Sequence, residues 1–166
     1  VYEGDATMLM TQWAIPNMSP ADLQDYLASA SDPEANAVLA RTPKVLVDSL
    51  VFPYTSGLNF ITPIQSSGGW DAVDDLYADL PRSTEQILHP EKYQAGEGPV
   101  EVTLPEDEML QALGDGWTVQ LRDTFGEFQM GTWLREAGVP GKEALEAAAG
   151  WGGDRLAVLD GPDDAW

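Results

Sequence analysis

The sequence predicts an α+β fold, mostly helical with a few short strands. Three features carry that expectation. Apolar residues recur at threes and fours through most of the chain, the signature of buried helix faces. Two or three short runs alternate instead, as strands do. Glycine and proline punctuation separates the runs into elements of ordinary length.

Ala6 to Trp13, rich in Met8, Leu9 and Met10, reads as a short helix ended by Ile15-Pro16. Ser19-Pro20-Ala21-Asp22 is a helix start, with serine as N-cap and proline at the first helical position. It leads into Leu23, Tyr26 and Leu27, after which Ser31 to Glu34 is polar and turn-like. From Val45 to Ile64 the apolar positions have helical spacing, and Pro53 and Pro63 are expected to break this stretch into two pieces. Gly68-Gly69 is a break. Trp70 to Leu80 then forms an acidic amphipathic helix with Trp70, Val73, Leu76 and Tyr77 on one side.

Ser83-Thr84-Glu85-Gln86 has the spacing of a capping box, and its short helix is closed by His89-Pro90. Val100 to Leu104 alternates between Pro99 and Pro105 and is expected to be a strand; Trp117 to Arg122 alternates too, with a helix as the alternative. Helices over Thr124–Ala137 and Lys142–Ala149 end at Gly138 and Gly150, and Leu156 to Leu159 is a short strand. No internal repeat or linker interrupts the 166 residues, so they read as one domain or domain fragment.

Composition narrows the chemistry. Apolar residues make up 43% of the chain and six are tryptophan, enough for a packed core. No apolar run approaches the length of a membrane-spanning helix. Eight Lys+Arg against 28 Asp+Glu leave a net charge of −20. That field repels phosphate backbones and anionic headgroups, so nucleic acid and bilayer surfaces are poor partners. Without cysteine there is no disulfide, thiolate metal site or cysteine nucleophile, and one histidine, His89, excludes any site built from two imidazoles of this chain. The chain opens on Val1-Tyr2-Glu3 with no signal peptide visible and stops at Asp163-Asp164-Ala165-Trp166 with no evident tail, and it is expected to be a piece of a longer protein, cut at both ends.

Four local patterns have both a structural and a chemical reading. Glu3 and Asp5 open a helix, where acids offset the dipole; alternatively Glu3 is a metal ligand with Asp5 behind it. Glu85 and His89 are four apart on one helix face, which suits an ion-paired histidine; alternatively His89 or Tyr93 contacts substrate. Gly150-Trp151-Gly152-Gly153-Asp154-Arg155 reads as a tight connection, with Arg155 paired to Asp154 or Glu127, and less well as an anion-cradling loop. Asp71, Asp74 and Asp75, and Glu106-Asp107-Glu108, read as solvated acidic faces and less well as weak calcium sites, and the tryptophans as core anchors rather than a carbohydrate platform.

Four blocks together carry a resemblance. They are Glu3-Gly4-Asp5-Ala6-Thr7; Ser83-Thr84-Glu85-Gln86-Ile87-Leu88-His89-Pro90-Glu91-Lys92-Tyr93; Phe125-Gly126-Glu127; and Gly150-Trp151-Gly152-Gly153-Asp154-Arg155. In order and spacing the chain resembles a family of secreted bacterial zinc metallopeptidases of the gluzincin kind, many known only as lipoproteins or hypothetical proteins. The resemblance implies an H-E-x-x-H helix ahead of the first block, supplying two histidine ligands and a general base, with Glu3 as third zinc ligand and Asp5 behind it. It further implies that His89 and Tyr93 contact the oxyanion or substrate, that substrates are peptides or proteins, and that the protein is extracellular or envelope-anchored. This chain has no H-E-x-x-H, and Thr7 stands where many gluzincins carry the supporting aspartate. It is therefore expected to be inactive and zinc-free by itself, the C-terminal portion of such an enzyme. The other reading is a noncatalytic acidic extracellular domain for binding or structure. Under either, loss of a neighbouring helix is expected to leave an apolar association patch around Met8–Met10.

Overall fold

A computed structural model describes residues 1–29 and 33–162. Helices dominate: α1 Tyr2–Asn17, α2 Pro20–Ser29, α3 Pro33–Arg41, α4 Lys44–Asp75, α5 Thr84–Leu88, α6 Pro90–Gln94, α7 Glu106–Leu113, α8 Gly126–Glu136 and α9 Gly141–Ala148. Strands β1 Thr118–Asp123 and β2 Leu156–Asp160 pair antiparallel, Thr118 facing Asp160 and Asp123 facing Leu156. The register shifts between Val119 and Leu121. The fold is the α+β, mostly helical one that the hydrophobic periodicity predicts.

Local chemistry explains the best-placed boundaries. Ser19 Oγ accepts the Asp22 amide at 3.2 Å and donates to the Asp22 carboxylate at 2.7 Å, starting α2 at Pro20. Ser83 caps α5 through the Gln86 amide at 3.3 Å. Gln86 completes the turn by accepting the Arg82 amide at 2.6 Å, one residue ahead of the position a capping box uses. Gly69 takes φ +69°, a conformation that glycine reaches without strain, and bends α4 there.

Several expected boundaries move. α1 begins earlier than Ala6 and runs through Pro16 to Asn17. α4 runs unbroken through Pro53 and Pro63. Each proline leaves a carbonyl four residues back, Ser49 or Asn59, without its helical donor, at a cost of about 3 kcal/mol. Burial of Phe60, Ile61 and Ile64 along the same helix offsets that cost, and the exposed position of Asn59 lets water serve its carbonyl. Beyond Asp75 the expected helix tightens into a 3-10 turn, Leu76–Ala78. Val100–Leu104 is not a strand: among the described residues no strand lies beside it, and its one bonded amide is Val100, which donates to the Gly152 carbonyl at 2.7 Å. The polar stretch expected from Ser31 falls partly outside the described residues, and α3 begins at Pro33.

The main core joins Met8 of α1 to Phe60, Ile61, Ile64 and Val73 of α4 and to Leu76, with Trp70, Ile87 and Tyr93 packed on its edge. A second contact ties α4 to α8: Phe52 meets Phe128 with ring centroids 4.1 Å apart, and Asp48 receives Arg135 at 3.0 Å. Ala148 and Leu145 of α9 lie over Gly131 of α8, and Ala144 is buried beside them on the same helix. Of the tryptophans, Trp151 is buried and Trp70 lies against the core, whereas Trp13 and Trp133 are exposed, contrary to the expectation that they anchor a core. α2 and α3 bury no residue. No helix among the described residues is long and apolar enough to cross a membrane.

Candidate functional site

The first block sits on a helix held at very close range. A Cβ on Gly4 would collide with the carbonyl group of Gly57 and lie 2.7 Å from the Leu58 amide nitrogen. Glycine at position 4 is what lets α1 lie directly on the α4 backbone. One residue further, Asp5 accepts the Tyr77 hydroxyl at 2.5 Å, and Tyr77 stacks obliquely on Tyr2 at 5.2 Å. The bond to Asp5 holds the Tyr77 proton, so the phenol is pushed up to about 12. Glu3 lies about 200° around the helix from Asp5, since each residue turns it by 100°. Its side chain is exposed, and its carboxylate makes no hydrogen bond or ion pair among the described residues. Asp5 therefore acts on Glu3 only through the helix it anchors.

The second and third blocks meet in a buried polar cluster. His89 Nε2 donates to Glu127 Oε1 at 2.8 Å, joining the end of α5 to the first turn of α8, and Nδ1 lies 3.6 Å from Glu91. Glu127 is only 5% exposed, and its other oxygen, Oε2, is buried with no hydrogen-bond partner among the described residues. Glu85, equally buried, accepts Lys92 at 2.5 Å, and Lys92 reaches Glu97 at 3.4 Å. The bond to Glu85 raises the Lys92 pKa against the opposing effect of burial. Tyr93 donates to the Asp79 carbonyl at 2.7 Å and sets its ring edge-on to Phe60, with burial raising its pKa. In this arrangement both His89 Nε2–H and the Tyr93 hydroxyl are already engaged within the protein.

The fourth block caps a helix from a distance. Asp154 accepts the amides of Phe125 at 2.6 Å and Gly126 at 2.9 Å, together with the Trp151 indole N–H at 2.7 Å. The carboxylate satisfies free N–H groups where α8 begins and sits at the positive end of its dipole. Arg155 is not paired with Asp154 or Glu127, as the sequence suggested; it is exposed and has no salt bridge among the described residues. Asp154 is taken by three N–H donors, and Glu127 is buried against His89 while the Arg155 side chain stays exposed.

The structure thus brings His89 and Glu127 together, fixes Asp5 and Tyr93 to neighbours, and leaves Glu3 open. Among the described residues no three His, Cys, Asp or Glu side chains converge as a metal site would require. A lone carboxylate does not fit a zinc ion, which takes three protein ligands in catalytic sites. Sequence reasoning missed the Gly4–Gly57 contact, whose only signal is glycine inside two otherwise helical patterns. It also missed the Asp154 cap, since 28 residues separate acceptor from helix. No known protein family, curated protein or solved structure matches this chain.

Proposed function

We propose that this chain is the C-terminal portion of an extracellular zinc-dependent peptidase and contributes Glu3 as the carboxylate ligand of its metal site. The observation that carries the reading is the state of Glu3. It is the open carboxylate on a helix that is otherwise clamped, by Gly4 on Gly57 and by Asp5 on Tyr77. A metal ligand needs that combination of a free side chain and a fixed backbone. The remaining ligands have to come from residues outside this sequence.

The outer face of α1 supports the same reading. Tyr2, Ala6, Leu9 and Trp13 follow one another at fours and threes, so they form one stripe opposite the Gly4–Met8 face. Trp13 is 64% and Leu9 55% exposed, and Met10 flanks them. The association patch expected around Met8–Met10 therefore shifts: Met8 is in the core, and Leu9 and Met10 join the outward stripe. Such a face beside Glu3 suits a second helix carrying the histidine ligands.

The test is made on the full-length protein. The gene upstream of the Val1 codon is read for H-E-x-x-H, and zinc is measured by atomic absorption in the purified product and in its Glu3→Gln variant. The expected result is an upstream H-E-x-x-H, about one zinc per chain, and at least tenfold weaker zinc retention in the variant, as loss of a ligand predicts. Absence of the upstream motif, or equal zinc retention in both proteins, refutes the proposal and leaves a noncatalytic domain.

A further inference from the structure

In a chain with 28 acidic residues, unpaired cations are informative. Of the eight basic residues, Lys44, Lys92, Arg122, Arg135 and Lys142 each lie within 4 Å of a carboxylate. Arg41, Arg82 and Arg155 have no such partner among the described residues. Two of those three, Arg82 and Arg155, line the same cleft of about 270 Å³, walled by Pro99, Val100, Val102 and Trp151.

Both arginines are left open by identifiable neighbours. Arg155 lies near enough to Glu106 to lower its pKa, behind the larger effect of the Arg122 hydrogen bond. It makes no bond there, because Arg122 takes both Glu106 oxygens, at 2.7 and 2.5 Å. The Arg82 guanidinium lies against Gly98, where any Cβ would collide with it. That contact uses none of its hydrogen-bond donors. Neither acid of the cleft forms an ion pair with these arginines: the Asp154 oxygens accept three N–H donors, and Glu101 is exposed.

The cleft also has an unused backbone edge. Val100 to Leu104 has the alternating pattern of a strand, yet among the described residues no strand pairs with it. Among the described residues the amides of Glu101, Val102, Thr103 and Leu104 form no hydrogen bond. The same segment continues from this cleft into a neighbouring one that Arg155 also lines. Unpaired backbone of this kind accepts an added strand, with main-chain bonds supplying affinity.

We infer that this cleft binds the C-terminal end of an extended peptide, whose terminal carboxylate sits between Arg82 and Arg155 while its backbone pairs with Glu101–Leu104. The cleft is about the size of one terminal residue, and its proline, valine and tryptophan walls suit an apolar one. Charge complementarity selects the carboxylate: guanidinium bonds to carboxylates are charge-assisted and directional. The overall charge of −20 opposes the approach of an anion at long range, but salt screens that field beyond about 8 Å, and the contact itself is local. Neither Glu3 nor a metal takes part, so this proposal is independent of the peptidase reading.

The test uses a fluorescein-labelled pentapeptide of neutral apolar residues, once with a free C-terminal carboxylate and once as the C-terminal amide. Binding to this chain is followed by fluorescence anisotropy. The free acid is expected to bind about tenfold more tightly than the amide, the size of a lost charged hydrogen-bond pair. Binding should weaken with salt, and amide NMR shifts should move at Glu101–Leu104. Arg155→Gln, at an exposed and unpaired position, should abolish the preference for the acid without altering the melting temperature; Arg82→Gln should do the same. Equal binding of acid and amide, failure of both to bind, or an unchanged preference in Arg155→Gln overturns the inference. An amidated peptide carrying an internal glutamate that binds as well as the free acid also overturns it.

Discussion

Gly4→Ala tests how α1 is held. The new Cβ would overlap the Gly57 carbonyl group and lie 2.7 Å from the Leu58 nitrogen, all of it backbone that no rotamer change can move. Restoring ordinary carbon contacts of about 3.5 Å requires α1 to retreat by about 1 Å, which loosens Met8 against Phe60 and Ile61. Overpacking of this kind costs about 1–3 kcal/mol, while alanine regains about 1 kcal/mol of helix propensity. With the loosened Met8 contacts added, we expect a net loss of about 2 kcal/mol, which in a chain of this length lowers Tm by about 4–8 °C. Gly57→Ala is the control. Its Cβ would meet Gly4 Cα and N at 3.2 Å, a clash relieved by a shift of a few tenths of an ångström, so propensity and strain nearly cancel. Thermal unfolding followed by circular dichroism reads both variants. An unchanged Tm for Gly4→Ala, or a larger loss for Gly57→Ala, would refute the close helix crossing.

Two further outcomes follow from individual hydrogen bonds. Asp154→Ala removes two charge-assisted bonds at the start of α8 and a third from the Trp151 indole, and should cost about 3 kcal/mol, with Asp154→Asn losing about half as much; a urea midpoint within error of wild type for the alanine variant would count against the cap. Tyr77 should ionise near pH 12 in an ultraviolet titration and fall back toward 10 in Asp5→Asn. Because folding raises this pKa, the stabilisation from the Tyr77–Asp5 bond is complete below about pH 10 and is lost as pH climbs toward 12. Melting temperatures of wild type and Tyr77→Phe should therefore converge over that interval, and parallel curves would contradict the bond.

Much of the fold is legible locally. Ser19 with Pro20, Ser83 with Gln86, and Gly138 and Gly150 mark helix ends because each acts on backbone within four residues of itself. Alternation in Trp117–Arg122 and the short apolar run Leu156–Leu159 point to the two paired strands. Alternation fails at Val100–Leu104, because side-chain periodicity reports which faces a strand would have and says nothing about whether a partner strand exists. Pro53 and Pro63 mislead for a related reason: their local cost is visible in the sequence, but the packing of Phe60, Ile61 and Ile64 that outweighs it is not.

The candidate sites divide the same way. Composition alone determined the acidic field, the lack of thiol chemistry and the single imidazole, since these are sums over residues that need no coordinates. The tertiary structure decided which charges are spent and which are open. His89 is joined to Glu127 across 38 positions, Asp154 to α8 across 28, and Arg122 to Glu106 across 16, and those pairings leave Arg82 and Arg155 free beside one cleft. Electrostatic and hydrogen-bond energies depend on distances of a few ångströms in space, and chain separation does not encode them.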